Sequence, residues 1–136
     1  MKVVFDTNIF ISAFAIRGGQ AEHALNAVIA GKVQLCISKA IVQEVLDVLA
    51  NKFSRSSEAL ARTAVFLAEF GELVTSNRKL VILDDEPDNR ILECALAGQA
   101  EVIVTGDRAM LRLRTFEGIR ILTLRHFLDE LVAADD

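Results

Sequence analysis

Short apolar runs alternate with longer amphipathic stretches along this chain. The runs fall at residues 3–5, 33–37, 80–83, 102–105 and 119–123. They are rich in Val and Ile and nearly unbroken, which suits strands buried on both faces. Helical spacing marks residues 21–30, 39–52, 58–70, 87–97 and 124–133. This alternation predicts βαβ units around a parallel sheet. Ser38, Ser56 or Ser57, and Thr123 stand where helix N-caps are expected. Gly31, Gly71 and Gly98 stand where a left-handed residue ends a helix, and Pro87 suits a first helical turn.

Four acids stand out against this pattern. Asp6 ends the first apolar run, where a carboxylate is costly to bury unless it is paired, hydrogen-bonded or metal-bound. The alternative role is capping a helix that starts near Ile9, which Asn8 would serve equally well. Glu44 is placed by the helical wheel. Ile41, Val42, Val45, Leu46, Val48 and Leu49 make one apolar arc; Glu44 falls at its margin and Asp47 on the far side. A margin position reaches a cleft beside the sheet, so Glu44 is the ligand candidate and solvated flank the alternative.

Asp88 shares the face of Ile91, Leu92, Ala95 and Leu96 but lies in the first turn, at the mouth of the sheet. The helix N-terminus favours its charge. Glu93 projects to the opposite face and is expected at the surface or in a supporting role. Asp84, Asp85 and Glu86 read as solvated loop charges. Asp107 follows Thr105-Gly106, where glycine permits a tight turn or close approach to a phosphate or metal; the alternative is a plain N-cap for residues 108–113. Thr7, Asn8, Asn89, Thr105 and Arg108 are candidates for supporting or substrate-contacting roles. Carboxylates at the ends of parallel strands face the crevice where open α/β sheets bind ligands. Their oxygens suit a hard cation, Mg²⁺ or Mn²⁺, as a metal-dependent nuclease requires.

Composition narrows this further. With 136 residues, 52% hydrophobic and 25% charged, the chain reads as one globular domain spanning 1–136. No apolar run approaches the ~18 residues of a membrane span, and Asp6 and Asn8 interrupt any signal-peptide core, so a cytoplasmic location is expected. The two cysteines, Cys36 and Cys94, are expected buried and reduced, and the two histidines lack metal-site spacing. A net charge of −4 does not suit a protein that coats nucleic acid. Arg108, Arg112, Arg114, Arg120 and Arg125 gather in the last third, either as solvated surface or as a phosphate-contacting rim. The eight Phe, without Trp or Tyr, read as core rather than a stacking series. Mean hydropathy is +0.37, and Phe10, Phe14, Phe53, Phe66 and Phe70 exceed what a small core hides, which predicts a homodimer.

Four pieces now combine: Val4-Phe5-Asp6-Thr7-Asn8, Ser38 through Glu44, Asp88-Asn89-Arg90-Ile91-Leu92-Glu93-Cys94-Ala95, and Val104-Thr105-Gly106-Asp107. Together they resemble PIN-domain proteins, over almost the whole chain. They look most like single-domain bacterial and archaeal members assigned as toxin components of toxin–antitoxin pairs. The resemblance implies a three-layer α/β/α sandwich with a central, mostly parallel sheet. It implies a Mg²⁺- or Mn²⁺-dependent endoribonuclease that cleaves single-stranded or structured RNA, with a cognate antitoxin as partner. Asp6, Glu44, Asp88 and Asp107 then take the places of the family's metal-binding, catalytic quartet. Ala109 departs from the pattern: many relatives carry another acid there, which puts a second metal site in question. PIN folds also serve in RNA processing, so the resemblance alone does not make a toxin.

Two alternatives compete. A haloacid-dehalogenase-type phosphatase also places an Asp after its first strand, but wants a second Asp where this chain has Asn8, and no activating lysine appears. A non-catalytic RNA- or partner-binding module would keep the acids as a remnant. Metal-dependent cleavage, lost when an acid is replaced, separates the three.

Overall fold

The computed structural model describes residues 1–135. Its elements are β1 (Lys2–Phe5), α1 (Thr7–Ala15), α2 (Gln20–Ile29), β2 (Gln34–Ile37), α3 (Lys39–Lys52), α4 (Ser57–Phe70), β3 (Gly71–Leu73), α5 (Glu86–Ala97), β4 (Val102–Val104), α6 (Arg108–Leu113), β5 (Thr115–Phe116), β6 (Ile119–Leu122) and α7 (Leu124–Asp135). The strands form one sheet in the order β3-β2-β1-β4-β6-β5. All neighbours pair in parallel except β5 and β6, an antiparallel hairpin. Helices flank this sheet in the expected α/β sandwich.

The central strands explain the apolar runs. Val3, Val4 and Phe5 of β1 and Val102, Ile103 and Val104 of β4 have no exposed surface. A strand covered on both faces has no side left for polar residues. Nearer the edge, β6 alternates, with Ile119 and Ile121 buried and Arg120 exposed. Phe10 and Phe127 pack their rings against Phe5, at 5.7 and 5.8 Å between centroids.

Strand order creates the crevice. From β1 the chain steps outward to β2 and β3, then returns to the other side of β1 to build β4 and β6. The direction of winding reverses between β1 and β4. Loops leaving two such strands diverge and open a cleft beyond their C-terminal ends.

Two local expectations need correction. Residues 80–83 form no strand, and β3 occupies the edge instead. The 80–83 segment lies along α5, where side chains replace a ladder. Leu80 N–H donates to Glu93 Oε2 at 2.7 Å, while Ile82 and Leu83 N–H donate to Asn89 Oδ1 at 3.0 and 2.8 Å. Either solution satisfies the backbone N–H groups of an apolar run, so the run cannot distinguish them. Of the three helix-ending glycines, only Gly31 is left-handed, with φ 76°. Gly71 and Gly98 serve close packing. A Cβ at Gly71 would sit 2.7 Å from Ile37 Cγ2, and one at Gly98 would sit 2.8 Å from Cys36 Sγ. The left-handed turn after α5 falls on Gln99, with φ 55°.

The caps follow the sequence. Ser38 and Ser56 accept from Ile41 and Ala59 N–H, and the Thr123 hydroxyl accepts from His126 N–H. Cys36 and Cys94 are free and buried. Among the described residues, no helix is long and apolar enough to cross a membrane.

Candidate active site

The crevice collects the four acids from four elements. Asp6 follows β1 directly and is the N-cap residue of α1, but its side chain makes no cap bond. Its Oδ2 instead accepts the Thr105 hydroxyl at 2.6 Å. Thr105 follows β4, and the same Oγ1 accepts Asp107 N–H at 3.0 Å. One buried threonine thus ties together the ends of the two strands at the reversal. Asp107 caps α6, with Oδ1 accepting Met110 N–H at 2.9 Å; the capping role and the site position coexist. Glu44 reaches in from α3 and accepts the Thr7 hydroxyl at 2.9 Å. Asp88 lies in the first turn of α5, buried.

Burial and crowding raise the proton affinity of Asp6, Glu44 and Asp88. Asp88 is pushed up to about 7, first by burial, then by Asp107, Asp85, Asp6 and Glu44. Asp6 is raised by burial, against the hydrogen bonds from Thr105 and the Thr7 backbone, with Asp107 and Asp85 adding repulsion. Glu44 is raised mainly by burial, with Asp6, Asp85 and Asp47 contributing and the Thr7 bond opposing. Asp85 acts on all three. It is the exposed charge before α5 that the sequence suggests, yet near enough to act on the site, and its position three residues before Asp88 was the available signal.

The donor set fits a hard cation chemically. Every candidate ligand atom is a carboxylate oxygen, and repulsion among them disfavours the all-ionised state unless a cation is present. Asp88 Oδ2 is buried with no hydrogen-bond partner; Arg90 Nε is the other such atom among the described residues. A buried acceptor without a donor is rare and costly. Among the described residues, no group of three or more His, Cys, Asp or Glu side chains is already arranged as a ligand cage.

The remaining candidates divide. Thr7 and Thr105 orient Glu44 and Asp6. Asn8 and Arg108 are exposed, Arg108 just after Asp107. Asn89 is occupied elsewhere: it clamps residues 82 and 83 through Oδ1 and donates Nδ2 to Leu83 O at 2.9 Å. Glu93, expected at the surface or in a supporting role, is buried, accepts from Leu80 N–H and pairs with Arg90 Nη2 at 2.9 Å. The wheel gave α5 one covered face, while the 80–83 segment covers a second. Arg90, three residues before Glu93, was the missed clue. Of the arginines read either as solvated surface or as a phosphate-contacting rim, Arg120 is held by Glu130 at 2.7 and 2.8 Å.

Comparison with known proteins identifies the fold. The PIN domain profile matches residues 2–109, a span that contains all four acids. The chain belongs to the PIN-domain family. It is 26% identical, over 118 residues, to the uncharacterised protein MJ1680 of Methanocaldococcus jannaschii, covering 84% of this chain and 76% of that one. Two solved structures share the fold. VapBC2 from Rickettsia felis, bound to a DNA fragment from its promoter, aligns with TM-score 0.61 and 17% identity over 90% of this chain and 98% of that one. VapBC-1 from nontypeable Haemophilus influenzae aligns with TM-score 0.61 and 18% identity over 92% and 99%. In this PIN domain the four acids come from α3, α5 and the exits of β1 and β4.

Proposed function

We propose that this PIN domain is a divalent-metal-dependent endoribonuclease, the toxin of a toxin–antitoxin pair. The observation that carries the reading is the buried, unpartnered Asp88 Oδ2, coupled to Asp6, Glu44 and Asp107 at the sheet reversal. Membership in a nuclease family supports the reaction class. The VapBC assemblies that share the fold support an antitoxin partner. Val65, Leu73 and Val81, which stay exposed, support an apolar contact with that partner or with a second copy in a homodimer.

Asp6, Glu44, Asp88 and Asp107 would hold Mg²⁺ or Mn²⁺. When bound, the cation supplies an acidified water and charge stabilisation at the scissile phosphate. The chain's own groups do the positioning. Thr105 fixes the Asp6 carboxylate, Thr7 fixes Glu44, and the α6 N-terminus fixes Asp107. Arg108, exposed beside Asp107, offers a fork of N–H donors to a flanking phosphate.

The test is cleavage of a labelled single-stranded RNA pool with Mg²⁺, with Mn²⁺ and with EDTA. Cleavage with either ion and none in EDTA is expected. Equal activity in EDTA, or an Asp88→Asn protein as active as the parent, sinks the mechanism. Growth arrest on expression, relieved by the product of an adjacent gene, tests the toxin role separately.

A further inference from the structure

A crevice lined by acids repels the backbone it is meant to cut, so a substrate needs a foothold elsewhere. Some arginines are already engaged: Arg78 with Glu117, Arg90 with Glu86 and Glu93, and Arg120 with Glu130. One groove gathers two that are not. A groove of about 270 Å³ among α1, α3 and α4 is lined by Phe14, Leu49, Arg55, Arg62 and Phe66, and no acid lines it. Arg55 and Arg62 are exposed, and neither guanidinium has a hydrogen-bond or ion-pair partner among the described residues.

We propose that this groove binds the single-stranded RNA segment that flanks the cleavage position, with Arg55 and Arg62 on its phosphates and Phe14 and Phe66 against its bases. The identity of the polyanion rests on the nuclease reading; the site itself rests on the groove.

The local structure presents these groups. Ser54 turns the chain sharply beyond α3, with φ 49°, and Arg55 N–H bonds back to Leu49 O at 3.1 Å. This seats Arg55 over the end of α3. Arg62 and Phe66 lie one turn apart on α4, on one face. Phe14 meets Phe66 edge-on, with centroids 5.9 Å apart and planes at 84°. Both rings are half-buried, unlike Phe5, Phe10 and Phe127. Half-covered aromatic rings beside free guanidinia form a base-stacking and phosphate-binding surface that tolerates any sequence. An apolar peptide would leave both charges without a counterpart.

The groove also lies on a path from the crevice. Thr7, bonded to Glu44, and Phe14 are two turns apart on one face of α1, about 10 Å along the axis. Because α1 packs on α3, a strand that leaves the acids along this seam meets Phe14, then Arg55 and Arg62.

The test is fluorescence anisotropy with a labelled 12-nucleotide oligouridine in EDTA, so that cleavage does not intervene. Arg55→Ala/Arg62→Ala is expected to raise Kd by about tenfold or more and to flatten the log K against log salt plot by about 1.4, from two lost phosphate contacts. Phe66→Leu, which keeps the packing apolar, is expected to raise Kd about fivefold with the salt slope unchanged. Parent and double-arginine variant with equal Kd and slope would overturn the proposal, as would a parent that does not bind. Displacement of the oligonucleotide by polyglutamate at equal charge concentration would reassign the groove to an acidic protein partner. A parent that binds through these residues yet cleaves with neither Mg²⁺ nor Mn²⁺ supports the groove and removes the nuclease reading.

Discussion

Asp88 and Glu93 are both buried acids on α5, and their surroundings differ in kind. Glu93 receives the Leu80 N–H and the Arg90 guanidinium, and so ties the 80–83 segment to the helix. Asp88 keeps an oxygen without a donor and faces other carboxylates instead. Burial alone therefore does not mark a carboxylate as functional. Structural acids bring their own donors, and an acid that lacks them depends on something outside the chain. Arg90 and the 80–83 segment complete the middle of α5, while its first turn stays open for a ligand.

The largest expected effect breaks the open end. Asp88→Asn should lower the RNA cleavage rate by roughly two or more orders of magnitude, because a lost ligand displaces the ion and its water. In EDTA at neutral pH the same change should raise stability by about 1–2 kcal/mol, since it removes an uncompensated buried charge. Cleavage assays and urea melts check the pair; a variant that is both active and destabilised would erase the contrast with Glu93.

Acidity sharpens the same contrast. Asp88 holds its proton up to about 7 in the fold, above the value for an unfolded aspartate. Its contribution is therefore fully present below about pH 4 and is lost as pH rises through about 7. The loss is worth about 4 kcal/mol at most. Asp6 and Glu44 are raised too and act in the same direction. Urea melts of the metal-free parent should fall away across this window relative to Asp88→Asn, and millimolar Mg²⁺ should flatten the difference. Parallel pH curves for parent and variant would contradict it.

Glu93→Ala should do the reverse of Asp88→Asn. It strands the Leu80 N–H and takes from the Arg90 guanidinium the nearer of its two carboxylate partners, leaving Glu86, at a cost of about 2–3 kcal/mol after discounting for the partial exposure of Arg90. Cleavage per folded molecule should fall less than about tenfold, since no ligand is lost. The smallest effect belongs to Asp47→Asn. Asp47 is exposed and accepts only Gln43 Nε2, at 2.8 Å, so stability should move by less than about 0.5 kcal/mol with no change in rate. A loss as deep as that of Glu44→Gln would mean that α3 presents a different face to the crevice.

These contrasts show where sequence suffices. β1, β2 and β4 were legible because strands covered on both faces leave a nearly unbroken apolar signature, and β6 because its apolar residues recur around a single exposed Arg120. Asp6 and Asp107 stood out because each follows that signature, and Glu44 and Asp88 because the helical wheel turns them toward the sheet. Glu93 was misplaced because a helical wheel assumes one covered side. Residues 80–83 were misassigned because side-chain clamps and a ladder satisfy the same backbone groups. Asp85 is the exposed loop charge expected, but its effect on the three acids was passed over because adjacent acids look alike in sequence. Phe10, Phe14 and Phe66 were grouped as surplus to the core, yet Phe10 is buried and the other two are half-buried, because composition does not say which rings lie at the rim. Each miss concerns what a neighbouring segment covers, which periodicity along one element does not encode.

Thr105 has a consequence of its own. A threonine hydroxyl carries a single proton. Here that proton goes to Asp6 Oδ2, while a lone pair on the same atom receives Asp107 N–H. The backbone amide has no way to act as an acceptor, so the sense of this two-bond chain is fixed. The position therefore demands one oxygen that both gives and takes within a buried space, and only serine shares that ability at a similar size. Valine, with nearly the same outline, would cut both bonds at once and leave the ends of β1 and β4 without their shared fastening.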